Sequence, residues 1–196
     1  IETDACILAT GSRCLHLPTI DVDHERVIDS DDILNMTEIP DHLIALGAGA
    51  VGTEFSSAFL RYGSDVTLVE LQDQILPIED EEASEELQRS FEKQGMDVRT
   101  NSKITDVKTT DDGVEAVVES ENGDSETIEG SHLLVAVGRE PVTDDVGLEN
   151  TRVEPEDNGA IVVDEYGQTD EEWLYAIGDL VADTPWLAHA ASHEGI

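Results

Sequence analysis

The sequence predicts an α/β protein that combines a parallel sheet flanked by helices with an antiparallel β-meander. Three observations support this prediction. Short apolar runs alternate with segments of helical periodicity, a glycine-rich turn joins one such run to a helix, and segments with period-two alternation are separated by Asp-Gly and Asn-Gly pairs. The first pattern is typical of buried parallel strands, and the last is typical of hairpins.

The best-defined part of the chain is the stretch 43–70. It begins with an apolar run too short for a helix, continues with apolar residues at helical spacing, and ends with a second apolar run at 66–70. The order strand, helix, strand is therefore predicted here, after a first strand at 5–10 and a loop-like segment up to about residue 38.

Three glycines, Gly47, Gly49 and Gly52, lie at the junction of the first strand and the helix, in the order G-A-G-A-V-G. This spacing permits a tight turn, close approach of the backbone to a pyrophosphate, and close packing of the helix on the strand. The helix start directs unpaired N–H groups and its positive dipole end at the phosphates. The unit is therefore predicted to be Rossmann-like and to bind a dinucleotide.

Glu70 ends the second strand, where a carboxylate can accept hydrogen bonds from an adenosine ribose. By itself it could equally be a solvated surface acid in so acidic a chain. Between Leu71 and Gln88 there is no Lys or Arg to clamp a 2′-phosphate, so NAD rather than NADP is the predicted ligand.

The remaining elements continue this pattern. Residues 79–95 form a helix with acids crowded in its first turns, which is a favourable dipole arrangement. Strands are predicted at 96–100, 104–108, 114–119, 125–129, 131–138 and 160–164. A loop and the stretch 174–179 follow, and a helical pattern starts near Leu187. The apolar run 131–138 is typical of a buried parallel strand, whereas the three strands before it form the meander.

Composition restricts the function classes. Ten Lys and Arg against 46 Asp and Glu give a net charge of −36, which excludes general affinity for nucleic acid or anionic membranes. The acids are spread along the whole chain between apolar segments, so a highly charged surface suited to strong salt, and hence a halophilic source, is expected. Cys6 and Cys14 fit no disulfide framework or metal motif, and we expect ordinary thiols in a reducing cytoplasm.

No apolar run approaches the length of a membrane span. The chain starts at Ile1 rather than Met, and its last residues continue a helical pattern. We therefore expect it to be an internal piece of a longer protein.

Five separated motifs, in order, resemble one family: ILATGSR, ALGAGAVGTEF, LLVAVGREP, LYAIGDL and WLAHAASHEG. The chain is similar along nearly its whole length to the flavoprotein disulfide reductases, and most of all to their dihydrolipoamide dehydrogenase subfamily. The resemblance implies a Rossmann-like NAD-binding domain inserted in part of a second, FAD-binding α/β domain. Its predicted segments are the end of the first FAD-domain part (1–38), the NAD domain (39–141), the return of the FAD domain (142–182) and the start of a flavin-side helix (183–196).

The resemblance also implies roles for individual residues. Thr10 and Gly11 would lie near FAD, Gly178 would present its backbone to it, and Asp179 would accept hydrogen bonds from the ribityl hydroxyls. Main-chain contacts near the flavin ring would come from Ala188 and His189. Two further sites are implied, at Glu54 near the nicotinamide and at Gly138 near the NAD adenosine. No metal site is predicted, since His189 and His193, four residues apart, lack a third ligand.

The activity implied by the resemblance is hydride transfer between NAD and FAD, coupled to thiol–disulfide exchange. The family's CxxxxC pair and C-terminal His and Glu have no counterpart in these residues. The implied partners are NAD(H), FAD, the lipoyl groups of 2-oxo acid dehydrogenase complexes and a second subunit in a homodimer. Two alternatives remain open: another member, such as a mercuric reductase, coenzyme A disulfide reductase or soluble transhydrogenase, or a non-catalytic NAD-binding module.

Overall fold

The computed structural model describes residues 2–196 and divides them into two compact units. The central unit is Cys14–Gly138, and the flanking unit consists of residues 2–13 and Arg139–Ile196. The central unit begins earlier than the predicted NAD domain (39–141) because residues 27 and 28 pair with a strand of its sheet. Which cofactor each part binds stays a prediction.

The described residues contain four α-helices, two short 3₁₀ helices (Leu148–Asn150 and Gly178–Leu180) and twelve strands. The helices are α1 (Ser30–Ile33), α2 (Ala50–Tyr62), α3 (Glu81–Gln94) and α4 (Ala188–Glu194). The strands are β1 (Cys6–Leu8), β2 (Ser12–Cys14), β3 (Val27–Ile28), β4 (His42–Leu46), β5 (Asp65–Val69), β6 (Asp97–Arg99), β7 (Ser102–Thr109), β8 (Val114–Ser120), β9 (Ser125–Gly130), β10 (His132–Val135), β11 (Arg139–Pro141) and β12 (Leu174–Ala176). None of the helices within residues 2–196 combines the length and the apolar character needed to cross a bilayer.

A five-stranded parallel sheet, in the order β3-β10-β4-β5-β6, forms the centre of the central unit. Strands β4 and β5 pair from His42 with Asp65 to Leu46 with Val69, and α2 connects them. Because the carboxyl ends of parallel strands meet at one edge of the sheet, the glycine turn and Glu70 become neighbours. The predicted strand–helix–strand unit is confirmed.

The two faces of this sheet are covered differently. Alternate residues of the strands, including Leu43 and Leu68, join a cluster with Phe59 of α2 and Phe91 of α3. The intervening residues, including Ile44, join a second cluster with side chains of the meander β7-β8-β9. Helices therefore cover one face and the antiparallel meander covers the other, so the predicted combination of parallel and antiparallel sheets is confirmed.

The segment predicted as a loop before residue 39 contains regular structure. Val27 and Ile28 are almost completely buried as β3 at the edge of the sheet, and Asp29 caps α1 directly after them. Its side chain accepts from the amides of Asp31 and Asp32, while the Asp32 side chain accepts from the Asp29 amide, which is a capping box. A two-residue strand is too short to show period-two alternation, so only the cap could have indicated these elements.

The flanking unit has two small sheets. In the first, β1 pairs with β12 in parallel, from Cys6 with Leu174 to Leu8 with Ala176, and in the second β2 pairs with β11. Its core is a single apolar cluster. The buried members are Leu148, Val153, Ile161, Leu174, Ala176, Leu180 and Val181.

The strand predicted at 160–164 is wrong. Ile161 forms one isolated parallel bridge with Val181, and the chain then turns away at Asp164, whose carbonyl accepts from the Gly167 amide. The apolar run at 160–164 reflects burial of Ala160 and Ile161, the second of which belongs to the cluster, and not extended pairing.

Candidate functional site

The glycine turn leaves β4 at Gly47, whose φ of 97° is a left-handed conformation that favours glycine. A Cβ at Gly47 would collide with the carbonyl oxygen of Ala136, and a Cβ at Gly52 would collide with the carbonyl oxygen of Gly47. These two glycines are therefore required by the packing of the turn itself.

Gly49 differs from them because a Cβ there would meet no atom within 4 Å. It is the N-cap residue of α2, and within residues 2–196 no side chain caps this helix end. The first N–H groups of a helix have no intrahelical partner and carry partial positive charge. Open space beside such donors fits the oxygens of a pyrophosphate.

The carboxylate of Glu70 is buried, with 7% of the residue exposed. Its Oε2 accepts from the Ala48 amide at 2.7 Å, and its Oε1 accepts from the Gln72 amide at 2.9 Å. Glu70 is therefore not the solvated surface acid that the sequence left open. It ties the glycine turn to the loop after β5, and because a carboxylate has about four lone-pair sites, it can still accept from a ligand.

Glu54 is the fifth residue of α2, directly after its first turn, and is exposed. It lines a cleft of about 420 Å³ whose other residues include Glu79 and the apolar side chains of Leu76 and Leu87. The cleft lies between the start of α2 and the start of α3. Glu54 is thus accessible to a ligand, and the surrounding charge is negative.

Gly138 ends the segment after β10 with a φ of 127°, and a Cβ there would meet nothing within 4 Å. Its carbonyl accepts from the Leu15 amide at 3.0 Å. Since β10 pairs with β4 in parallel, Gly138 follows the same edge of the sheet as Gly47. The structure thus brings the glycine turn, Glu70 and Gly138 to one edge of the central unit.

In the flanking unit, Thr10 and Gly11 follow β1. The Thr10 hydroxyl donates to the Val142 carbonyl at 2.5 Å, and the Val142 amide donates to the Gly11 carbonyl at 2.9 Å. Gly11 has a φ of 69° and open space where a Cβ would lie. Both residues are therefore held in place by Val142, which directly follows β11.

Gly178 begins a short 3₁₀ helix, Gly178–Leu180, with a φ of 77°. Its amide donates to Glu194 Oε2 at 2.7 Å, so the group expected to face FAD is engaged by a side chain of α4. Ala188 and His189 form the exposed first turn of α4, and the Ala188 carbonyl accepts from the Ser192 hydroxyl at 2.9 Å.

Asp179, in the same 3₁₀ helix, belongs to a network that the sequence did not reveal. Its Oδ2 accepts from the Ser12 hydroxyl at 2.7 Å, and the Ser12 hydroxyl accepts from Arg139 Nε at 2.8 Å. Arg139 Nη2 also donates to the Ser12 carbonyl at 2.9 Å. Ser12 and Asp179 are 167 positions apart, so no local spacing could have indicated their contact.

Metal-ligand residue types also cluster around α1. Within residues 2–196 the two such groups are Cys14 with Asp29 and Asp31, and His24 with Asp29 and Asp32. Burial alone would raise the pKa of Asp29, but hydrogen bonds from His16 and from the Asp31 and Asp32 amides outweigh it and lower that pKa. The carboxylates of Asp29 and Asp32 thus serve as helix caps.

Comparison with protein families gives the class of this chain. A family model described as pyridine nucleotide-disulphide oxidoreductase matches residues 1–195. The chain belongs to this family, and the resemblance seen in the five motifs is confirmed. It is a family of flavoprotein oxidoreductases, and FAD and NAD are the cofactors of its dihydrolipoyl dehydrogenases.

Among similar proteins, dihydrolipoyl dehydrogenase of Haloferax volcanii is 40% identical over 196 residues, which is 100% of this chain and 41% of the relative. The Bacillus subtilis dihydrolipoyl dehydrogenase is 41% identical over 193 residues, 97% of this chain and 40% of the relative. A third similar dihydrolipoyl dehydrogenase is that of Halobacterium salinarum, so relatives from halophilic archaea are present.

Solved structures agree with this. LpdA from Mycobacterium tuberculosis has 34% identity and a TM-score of 0.87, and the match covers 98% of this chain and 41% of that one. The HOCl-induced flavoprotein disulfide reductase RclA from Escherichia coli, as a Cu(II) complex, has 28% identity and a TM-score of 0.89, covering 99% and 44%. The chain thus spans about two fifths of the length of the relatives it matches.

Proposed function

We propose that the central unit binds NAD(H) and that the chain is the NAD-binding central portion of an FAD-dependent dihydrolipoamide dehydrogenase. The observation that carries the proposal is the contact between the buried Glu70 carboxylate and the Ala48 amide, beside the open space at Gly49. An uncapped helix start, a glycine turn and a buried acid at one sheet edge fit the pyrophosphate and ribose of a dinucleotide.

Each residue has a distinct task in this proposal. Gly47 and Gly52 shape the turn, and Gly49 leaves room for the pyrophosphate. Glu70 accepts from the adenosine ribose, and Gly138 allows close approach of the adenosine. Glu54, the one catalytic assignment, is accessible in the cleft and stabilises the positive charge of an oxidised nicotinamide by its own negative charge.

The flanking unit is proposed to supply part of the FAD pocket. Thr10 and Gly11 lie at a strand end, Asp179 accepts from the ribityl hydroxyls, and Gly178, Ala188 and His189 contribute main-chain groups. The four predicted segments keep their assignments as proposals: FAD domain (1–38 and 142–182), NAD domain (39–141) and flavin-side helix (183–196). The compact units, which divide after Arg13 and Gly138, offer alternative limits for the NAD domain.

For the whole protein we propose hydride transfer between NAD and FAD coupled to dithiol–disulfide exchange, at cysteines and a C-terminal His and Glu outside these residues. Such cofactors supply the redox chemistry, and this chain binds and orients them. The partners would be lipoyl groups of 2-oxo acid dehydrogenase complexes and a second subunit in a homodimer. A cytoplasmic location fits the two free cysteines, Cys6 and Cys14.

The second candidate is another flavoprotein disulfide reductase, which is favoured by the TM-score of 0.89 to RclA. Steady-state assays of the full-length gene product separate the two. Rapid NAD-dependent oxidation of dihydrolipoamide supports the first candidate. Slow lipoamide turnover together with rapid reduction of another disulfide or oxidant supports the second.

NAD binding is tested by titrating NADH and NADPH into the full-length gene product in molar KCl. A 2′-phosphate would meet the Glu70 carboxylate, and the following loop offers no cation, so we expect NADH to bind about a hundredfold more tightly, equivalent to about 2.7 kcal/mol. Comparable affinities in the wild type would contradict the proposal.

The variant Glu70→Ala removes the repulsive charge together with the two amide contacts. We expect NADH to bind more weakly and the preference to fall to about tenfold or less. Asp73→Ala, which removes an exposed acid from the same loop, is the matched control and should keep the full preference. A Glu70→Ala protein that still prefers NADH a hundredfold would show that Glu70 does not select the coenzyme.

A further inference from the structure

We propose that Ser12 is a positioning residue for Asp179, which it holds in the orientation needed to accept hydrogen bonds from the flavin ribityl chain. The inference rests on the proposed function, because that function assigns the flavin contact to Asp179. It adds a residue from β2 whose role neither the five motifs nor the comparisons assign.

The direction of the hydrogen bonds follows from the chemistry of the three groups. Arg139 Nε–H can only donate, so at 2.8 Å it donates to the Ser12 oxygen. The ionised Asp179 carboxylate can only accept, so at 2.7 Å it receives the Ser12 hydroxyl proton. The Ser12 hydroxyl is therefore oriented from one side by a cation and from the other by an anion.

Both contacts involve an ionised group, and such hydrogen bonds are shorter and about twice as strong as neutral ones. Arg139 is itself aligned on the Ser12 backbone, since its Nη2 donates to the Ser12 carbonyl at 2.9 Å. The hydroxyl therefore has little rotational freedom, and Asp179 Oδ2 is fixed by it.

The other oxygen of the carboxylate is left for a ligand. Within the part of the chain that the structure describes, Asp179 accepts a side-chain hydrogen bond at Oδ2 alone. With Oδ2 held, the plane of the carboxylate is set and Oδ1 keeps its full capacity to accept hydroxyl donors. The backbone beneath it is also fixed, because Leu180 is completely buried in the flanking unit's core.

The test uses the full-length gene product, stripped of flavin in molar KCl and titrated with FAD by flavin fluorescence. We expect Ser12→Ala to weaken FAD binding about tenfold, which corresponds to the loss of one charge-assisted hydrogen bond. Ser12→Thr keeps the hydroxyl and should bind within about twofold of the wild type. Thr143→Val is the matched control, since it removes a hydroxyl of the same unit that donates to the Gly159 carbonyl and not to Asp179.

A double-mutant cycle with Asp179→Asn separates positioning from simple structural support. If Ser12 acts through Asp179, Ser12→Ala should cost tenfold in the wild type and nothing further in the Asp179→Asn background. Equal losses in both backgrounds, or no loss in the wild type, would overturn the inference. Circular dichroism melts of each apoprotein verify folding, and Ser12→Cys, a weaker donor, replaces Ser12→Ala if that variant does not fold.

The same data distinguish the inference from the function on which it rests. If Asp179→Asn weakens FAD binding and Ser12→Ala does not, the flavin role of Asp179 stands and the role of Ser12 is wrong. If Asp179→Asn binds FAD as tightly as the wild type, Asp179 is not a flavin ligand and both fail.

Discussion

The two compact units differ in how completely their secondary structure is covered. In the central unit a five-stranded parallel sheet has helices on one face and the meander on the other, with Leu43, Ile44 and Leu68 fully excluded from solvent. In the flanking unit two two-stranded sheets share one apolar cluster. Isolated two-stranded sheets are at best marginally stable, whereas a doubly covered parallel sheet is a stable layer arrangement.

The surfaces of the two units do not show this difference. Large exposed apolar side chains occur on both, at Ile7, Val162, Tyr166, Trp173 and Leu187 in the flanking unit and at Leu34, Ile39, Tyr62, Leu71 and Ile78 in the central unit. Because both faces of its sheet are covered, the central unit is the better-packed of the two, and the proposed NAD site lies on it.

Removal of salt is expected to have the largest effect. A net charge of −36 on 196 residues repels itself whenever the screening length exceeds the spacing of the carboxylates. We expect the chain to be folded in ~2 M KCl, where the Debye length falls to a few ångströms, and to unfold in dilute buffer. Hydrogen exchange during stepwise dilution should show loss of protection in the flanking unit first, and equal stability in both media would contradict the prediction.

Removing buried volume from the sheet should have the next largest effect. Leu43 is 0% exposed in the middle of the parallel sheet, so Leu43→Ala is expected to lower the free energy of unfolding of the central unit by about 2–5 kcal/mol. The matched control is Val162→Ala in the flanking unit, where the side chain is exposed and a change within about 0.5 kcal/mol is expected. Denaturant melts in high salt measure both, and similar losses would remove the contrast between the units.

A smaller loss is expected from the helix cap beside the sheet edge. Asp29→Ala removes the acceptor for the Asp31 and Asp32 amides and should cost about 0.5–2 kcal/mol, localised to α1 and β3. Because the pKa of Asp29 is lowered in the folded chain, its contribution is present above its ordinary value of 3.8 and is lost as pH falls through that value to the lowered one. Hydrogen exchange at α1 tests this, and Asp21→Ala, an exposed acid nearby, should leave the exchange unchanged.

The smallest expected effect is a pH dependence of the sheet itself. Burial, followed by the charge of Arg26, lowers the pKa of His132 on β10 below its ordinary value of 6.5. The unfolded chain then binds the proton more readily, so stability should fall as pH drops below about 6.5 toward the lowered pKa. His132→Gln, which cannot take up the proton, should reduce this loss of stability in melts between about pH 5 and 7. An unchanged dependence of stability on pH would assign the effect to other groups.

Much of the central unit could be predicted because its signals are local. The glycine turn, the apolar runs of β4, β5 and β10, and the turn pairs of the meander each fix an element within a few residues. β3 and α1 escape prediction because two buried residues carry no periodicity. The apolar run 160–164 has the composition of a strand, although in the structure Ile161 forms an isolated bridge.

The site residues also differ in whether local sequence could indicate them. Gly47, Gly49, Gly52 and Glu70 lie in one stretch of sequence, and the structure brings them to one edge. The role of Ser12 depends on Asp179 and on Arg139, more than a hundred positions away, which only the folded chain brings together.

The hydrogen bonds of Glu70 have a consequence for the evolution of coenzyme preference. The carboxylate that would select against a 2′-phosphate also accepts from Ala48 and Gln72, so one side chain serves both recognition and the conformation of the turn. A single exchange to an apolar or cationic residue would leave the buried Ala48 amide without its acceptor, at a cost of about 1–3 kcal/mol, and would also remove the acceptor of the more exposed Gln72 amide. A descendant that adopted NADP would therefore need compensating changes in the turn before, or together with, the exchange at this position.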